Sequence, residues 1–100
     1  MKTTRINPEL LQIKALKNTL IYELNTIFDE YEIEFHLTTH GDIFSVSRIH
    51  PFYISIIFDE YITQLQTRNE VISKTFNLKN IYKISRYIFD NREMFYHTED

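Results

Sequence analysis

The sequence predicts an α+β fold in a single domain spanning residues 1–100. Apolar residues recur every three or four positions near the N-terminus, and they alternate every second position in the following segment. Helical spacing then returns in the C-terminal half. Apolar residues form 43% of the chain, which is enough for a folded core. We therefore expect a long N-terminal helix, a two-stranded antiparallel β-hairpin, and two or three further helices.

The first helix is expected over residues 8–31. Asn7 can cap the helix with its side-chain oxygen, Pro8 suits the first turn, and Glu9 suits the positive end of the helix dipole. One apolar stripe follows at steps of three and four, made of Ile13, Leu16, Leu20, Leu24, Ile27 and Tyr31.

The hairpin is expected over residues 32–49. Ile33, Phe35 and Leu37 alternate with polar residues, and a second alternating segment follows Gly41. A two-residue turn at His40-Gly41 would pair Leu37 with Phe44 and Phe35 with Val46, so that all four face the core. It would also place the only glycine where a type I′ turn needs a positive φ.

Residues 52–67 are predicted to form a buried helix, because apolar residues lie at helical spacing on both sides of Asp59-Glu60. The alternative is a third strand over residues 52–58, where β-branched and aromatic residues are enriched. A short helix over 70–76 and a last helix over 79–94 complete the prediction, with Asn77 as the stop between them.

The last helix carries two opposed stripes. Lys79, Lys83 and Arg86 cluster on one side of a helical wheel, while Ile81, Ile84 and Ile88 cluster on the other. The alternative interpretation is that the basic stripe is simply the solvated face of a C-terminal helix.

The segment ISKTFNL followed by IYKISRYI, within residues 70–89, resembles the helix-turn-helix superfamily. The resemblance implies a first helix and turn ending at Leu78, followed by a recognition helix. It further implies that Lys79, Asn80, Lys83 and Arg86 face DNA, with the cations on phosphates and the Asn on a base edge.

No catalytic or metal-binding motif is recognised in the sequence. The absence of cysteine excludes disulfides and thiolate zinc sites, and the single glycine excludes glycine-rich phosphate loops. The four histidines, at 36, 40, 50 and 97, lack the helical spacing of a metalloprotease site. Adjacent carboxylates at Asp29-Glu30 and Asp59-Glu60 would point about 100° apart on a helix, so neither pair forms an acid–base dyad. We expect a non-enzymatic protein without metal or cofactor.

The net charge of −3 is distributed unevenly, because residues 21–66 carry eight carboxylates against one arginine. This asymmetry predicts an acidic protein-binding surface, although ordinary surface scatter would also produce it. The seven tyrosines indicate some exposed aromatic surface, the alternative being a tyrosine-rich core. The residues predicted for the interface are Glu30, Glu32, Glu34, Asp59, Glu60 and Tyr61.

Two functions fit the sequence. The first is a small accessory protein of a phage or mobile element, acting in replication or transcription. It would bind DNA through the C-terminal helix pair and a protein partner through the acidic surface. The second is an inhibitor or immunity-type module that binds protein alone. No membrane-spanning run or signal segment is recognised, so we expect a cytoplasmic protein, and the sequence leaves its oligomeric state open.

Overall fold

A computed structural model describes residues 7–48 and 51–96. Helix α1 covers Pro8–Ile27 and is followed by a 3₁₀ turn at Asp29–Tyr31. Five strands come next: β1 (Ile33–Leu37), β2 (Ile43–Ser47), β3 (Ser55–Asp59), β4 (Ile62–Gln66) and β5 (Val71–Asn77). Helix α2 covers Ile81–Asp90 and is followed by a 3₁₀ turn at Arg92–Phe95.

The five strands form one antiparallel sheet in the order β1-β2-β3-β4-β5. Helices α1 and α2 lie on one face, which we call the inner face. The core between helices and sheet includes Leu20 and Leu24 of α1, Phe28 at its C-cap, Ile84 and Ile88 of α2, and Ile33, Phe35, Ile43, Ile56 and Leu65 of the sheet.

The start of α1 is as predicted, since the Asn7 side chain accepts a hydrogen bond from the Glu9 N–H at 2.9 Å. The helix ends earlier than the predicted residue 31. Phe28 has left helical geometry, and Glu32 adopts a left-handed conformation at φ 58° that turns the chain into β1.

The predicted helix over 52–67 is wrong, because this segment forms β3 and β4. Glu60 takes φ 53° in the two-residue turn between the strands, so Asp59 and Ile62 become cross-strand partners. The apolar spacing fits either period, and the β-branched residues favour the extended form. The alternative of a strand within 52–58 is closer to the structure, although β3 begins only at Ser55.

The predicted short helix over 70–76 is also wrong, because Val71–Asn77 is β5. Ile72 and Phe76 are four residues apart, an even separation that puts both on one face of a strand as well as of a helix. The segment that resembles the first helix of a helix-turn-helix is therefore a strand. Over residues 7–48 and 51–96, the fold is one five-stranded sheet with two α-helices, not a hairpin among several helices.

The predicted register of the hairpin is off by one residue. Leu37 pairs with Ile43 and Phe35 with Ser45, because the loop contains three residues, Thr39 to Gly41. The Gly41 N–H donates to the Thr38 carbonyl at 3.0 Å, and Gly41 has φ +87°. Glycine thus supplies the expected positive φ, but in a three-residue loop.

Lys17 joins α1 to this loop. Its ammonium donates to the Gly41 carbonyl oxygen at 2.8 Å and lies 4.6 Å from the centre of the Phe58 ring. Burial lowers the pKa of Lys17 below its ordinary 10.5, and the nearby Asp42 carboxylate partly opposes this shift.

The lowered pKa of Lys17 predicts a pH-dependent contribution to stability. Between the folded pKa and 10.5, the unfolded chain binds more protons at this site than the folded chain, so stability rises with pH. We expect the free energy of unfolding of the wild type to increase relative to that of Lys17→Met between pH 7 and pH 10. Urea denaturation of both proteins across this range measures the difference between their free energies of unfolding. Both proteins contain the same tyrosines, so the titration of the tyrosines cancels in this difference. A difference that is flat or falls with pH would contradict the shift.

A second prediction concerns Thr63, whose side chain is fully buried between Phe58 and Phe76 on the inner face. Its hydroxyl has no hydrogen-bond partner among the described residues. Since a buried unpaired hydroxyl is costly, we expect Thr63→Val to increase the free energy of unfolding by about 1 kcal/mol and to raise the Tm by about 5 °C.

Thermal and urea denaturation followed by circular dichroism test the effect of Thr63→Val. The control is Thr75→Val, the same exchange at an exposed position on the neighbouring strand. Equal gains at both positions would assign the effect to β-propensity and not to the buried hydroxyl.

Candidate functional site

The face of the sheet opposite the helices, which we call the outer face, is covered by no helix or strand of the described chain. Residues Glu34 and His36 of β1 point to it, as do alternate residues of the other strands. The outward residues of β2 to β5 are Phe44, Val46, Ser55, Ile57, Asp59, Ile62, Gln64, Gln66, Val71, Ser73, Thr75 and Asn77.

Four apolar residues form a diagonal line across this face, which we call the apolar stripe: Val46, Phe44, Ile57 and Ile62. Phe44 pairs with Ser55, so Ile57 lies one diagonal step away on the next strand. Ile57 pairs with Gln64, so Ile62 lies one further step along the same diagonal. Diagonal neighbours of this kind are about 7–8 Å apart, within reach of large side chains.

The stripe is accessible to a partner. Val46 is 39% exposed and Ile62 is 55% exposed, while Phe44 and Ile57 are half-buried. The register explains why these residues lie outside. A shift of one residue exchanges the faces of a strand, so Phe44 and Val46 face outward while Ile43 and Ser45 face the core.

Polar and charged side chains surround the stripe. Glu34 lies opposite Val46, and His36 lies opposite Phe44, with ring centres 5.8 Å apart. Glu34 and His36 are themselves 3.3 Å apart and form the one ion pair found among the described residues, provided that the imidazole is protonated. Asp59 lies opposite Ile62 at the other end of the stripe.

The residues of the predicted acidic surface do not lie together in the structure. The turns after β1 and β3 lie at the same end of the meander, so Asp59 and Glu60 are at that end and Glu30 and Glu32 are at the opposite end. Only Glu34 and Asp59 of the predicted set belong to the outer face. Tyr61 donates its hydroxyl hydrogen to the Gln12 side chain at 2.7 Å and so helps to hold α1.

The predicted basic residues lie on the surface just before and along α2. Lys79, Asn80, Lys83 and Arg86 are all exposed. Lys79 lies 4.8 Å from the centre of the Tyr61 ring, and Asn80 stands at the helix N-cap without a side-chain capping bond. Lys83 and Arg86 form no ion pair within the described ranges. Arg86 lines a shallow depression between the helices together with Asp29 and Glu30, so acidic side chains stand near one end of the basic stripe.

A larger cavity of about 630 Å³ lies beside β1, the first edge strand of the sheet. Its polar lining includes Asp29, Glu32, Glu34 and Arg48. Asn25 of α1 also lines it, and its side chain makes two hydrogen bonds with the backbone of Phe35. The Asn25 amide oxygen accepts from the Phe35 N–H at 2.6 Å, and its amide nitrogen donates to the Phe35 carbonyl at 3.3 Å.

Sequence reasoning missed both the apolar stripe and the Asn25 contact. The available signal for the stripe was the string Thr38-Thr39-His40-Gly41, which suits a three-residue loop with glycine last. No comparable signal marks Asn25, because a polar residue beside the apolar stripe of a helix usually faces solvent.

Residues 7–48 and 51–96 contain no group of three or more potential metal ligands. No helix within these ranges has the length and apolar character needed to cross a bilayer. A scan of protein-family models, a search of curated proteins and a search of solved structures each found no match to this chain.

Proposed function

We propose that this protein is a non-enzymatic binding module that docks a partner protein on the outer face of its sheet. The observation that supports the proposal is the apolar stripe, a contiguous line of four apolar side chains on a face that no described element covers. A sheet packed on one side by helices normally shows polar residues on the other.

The layout of the face suits a protein partner. An apolar centre surrounded by polar and charged side chains is the usual anatomy of a protein interface. The surrounding carboxylates, Glu34 and Asp59, favour a partner whose own interface is basic at its rim. An inhibitor or immunity-type role in the cytoplasm is consistent with such a surface and with a chain that lacks cysteine.

Site-specific photo-crosslinking in the native cell tests the outer face. A benzophenone amino acid at position 62 should crosslink to a discrete partner, whereas the same group at position 82 should not. Tyr82 is a matched control because it is 72% exposed but lies on α2, on the helical side of the sheet. Crosslinks from position 82 alone, or from neither position, would contradict the proposal.

Substitution of a residue in the apolar stripe should then weaken the complex with the partner that crosslinking identifies. We expect Ile62→Lys to raise the Kd at least tenfold, because a charge replaces the most exposed apolar side chain of the stripe. Val71→Lys is the control, since Val71 is also exposed on this face but lies outside the stripe. Isothermal titration calorimetry measures both, and equal losses would indicate a general charge effect.

A second function is supported by a separate observation, the exposed basic side chains just before and along α2, which form no ion pair with the described residues. We propose as the alternative that Lys79, Lys83 and Arg86, with Asn80, bind nucleic-acid phosphates in a replication or transcription accessory of a phage or mobile element. Phosphate contacts of this kind are independent of sequence and sensitive to salt. They need only one exposed helix and no preceding helix, and Val71–Asn77 before it is a strand.

Fluorescence anisotropy with labelled duplex and single-stranded DNA tests the alternative. Replacement of Lys79, Lys83 and Arg86 by Ala should weaken binding at low salt and reduce the slope of log Kd against log salt by about 2–3. The charge-matched control replaces Lys14, Arg48 and Arg68, which are exposed elsewhere. Equal weakening in both triple variants would indicate that net charge alone is responsible.

A further inference from the structure

The cavity of about 630 Å³ lies at one corner of the outer face, where the apolar stripe begins. Its walls come from the end of α1, from the following 3₁₀ turn, from β1, and from Val46 and Arg48 at the end of β2. Val46 belongs both to this lining and to the stripe. A protein chain that lies along the stripe therefore reaches the cavity at its Val46 end.

The wall of the cavity between α1 and β1 is closed and offers little free main chain. The Asn25 amide bonds both the N–H and the C=O group of Phe35. The side chains of Ile33 and Phe35 are 2% and 1% exposed and face the core. A group that enters the cavity thus meets mainly the charged side chains around it, and not the edge of a strand.

These charged side chains do not neutralise one another. Asp29 and Glu32 form no ion pair or side-chain hydrogen bond within residues 7–48 and 51–96, although the guanidinium of Arg48 lies in the same lining. Glu34 also lines the cavity and contacts only the His36 ring, at 3.3 Å. Three carboxylates therefore stand against one guanidinium across a space large enough for a side chain, and a cation in this space would be attracted.

A guanidinium suits this lining better than an ammonium does. Its planar fork carries five N–H donors and can bond two carboxylates, such as those of Glu32 and Glu34, at the same time. The methylene groups of an arginine can also pack on the apolar side chain of Val46. Arginine is one of the residues that dominate the binding energy of protein interfaces when they fill a pocket.

We propose that this cavity receives an arginine side chain of the protein that docks on the outer face. The guanidinium bonds Glu32 and Glu34, and its methylene groups lie against Val46. Arg48 repels a second cation, so the cavity takes one basic side chain. The assignment rests on the proposed docking function and names the group that anchors the partner at one end of the apolar stripe.

N-acetyl-arginine amide is the probe, because it presents the side chain without the partner protein. In an NMR titration of the isotope-labelled protein, the backbone amides of Glu34 and Val46 should shift saturably with a millimolar Kd, while those of β5 should not shift. N-acetyl-citrulline amide has a similar shape without the charge and should bind about tenfold more weakly. Equal binding of the two compounds, or shifts confined to other parts of the protein, would overturn the proposal.

Variants of the lining test which side chains hold the probe. Glu32→Gln and Glu34→Gln should each raise the Kd of the arginine compound about three- to tenfold, because each removes a charged hydrogen-bond acceptor. Arg48→Gln should lower the Kd, because it removes a like charge. Glu70→Gln is the control, since Glu70 is an exposed carboxylate directly before β5, at the opposite edge of the sheet. An equal loss in Glu70→Gln would assign the effect to net charge and reject the site.

The arginine site and the docking surface can fail separately. Ile62→Lys should weaken the complex with the partner but retain the binding of the arginine compound. A partner that crosslinks at position 62 and binds equally well to the wild type and to Glu34→Gln would reject the arginine anchor and leave the outer face as the docking surface.

Discussion

The packing of Phe28 is the interaction on which the arrangement of helices and sheet depends. Its side chain is fully buried, and its ring lies 5.4–5.9 Å from the rings of four other aromatic residues. These come from four parts of the chain: Tyr31 after α1, Phe35 in β1, Phe52 before β3 and Phe89 in α2. Edge-to-face and tilted contacts of this kind add to the burial of apolar area. The ring thus joins both helices to the sheet where α1 stops being helical.

This packing covers only one face of the sheet. Two helices are enough for the inner face, and the described chain has no third element for the outer one. The apolar side chains of β2 that point outward are therefore available to a partner. The three-residue loop at Thr39 to Gly41 decides which side chains these are, because it sets the register of β1 on β2. A local turn thereby determines the composition of a surface that crosses three strands.

Sequence reasoning succeeded where a single local feature decides the structure. The Asn7 cap fixed the start of α1, and the alternation of Ile33, Phe35 and Leu37 indicated the first strand. It failed over 52–67 and 70–76, where apolar residues at even spacing fit a strand and a helix equally. There the choice between helix and strand depends on the left-handed conformation of Glu60 and on the pairing of β5 with β4. The spacing of the apolar residues determines neither of these.

The candidate surfaces likewise differ in how far the sequence could predict them. The exposure of Lys79, Lys83 and Arg86 could be predicted, because an amphipathic helix shows its charged side to solvent whatever it packs on. The acidic set could not be assembled from sequence, since Glu30 and Asp59 lie at opposite ends of a sheet whose strand count was unknown. The hydrogen bonds of Asn25 could not be predicted for a similar reason. Its function as a hydrogen-bond partner exists only because α1 crosses beside the edge of β1.

The two edges of the sheet are protected in different ways. On β5, the ammonium of Lys74 lies over the rings of Tyr87 and Phe76 on the inner side, and an inward-pointing charge on an edge strand opposes the addition of a further strand. On β1, the Asn25 side chain of α1 binds the N–H and C=O groups of Phe35, so the helix itself covers the middle of this edge. Ile33 and Phe35 are accordingly buried, at 2% and 1% exposure. A single amide on α1 thus satisfies backbone groups that an uncovered edge strand would offer to other chains.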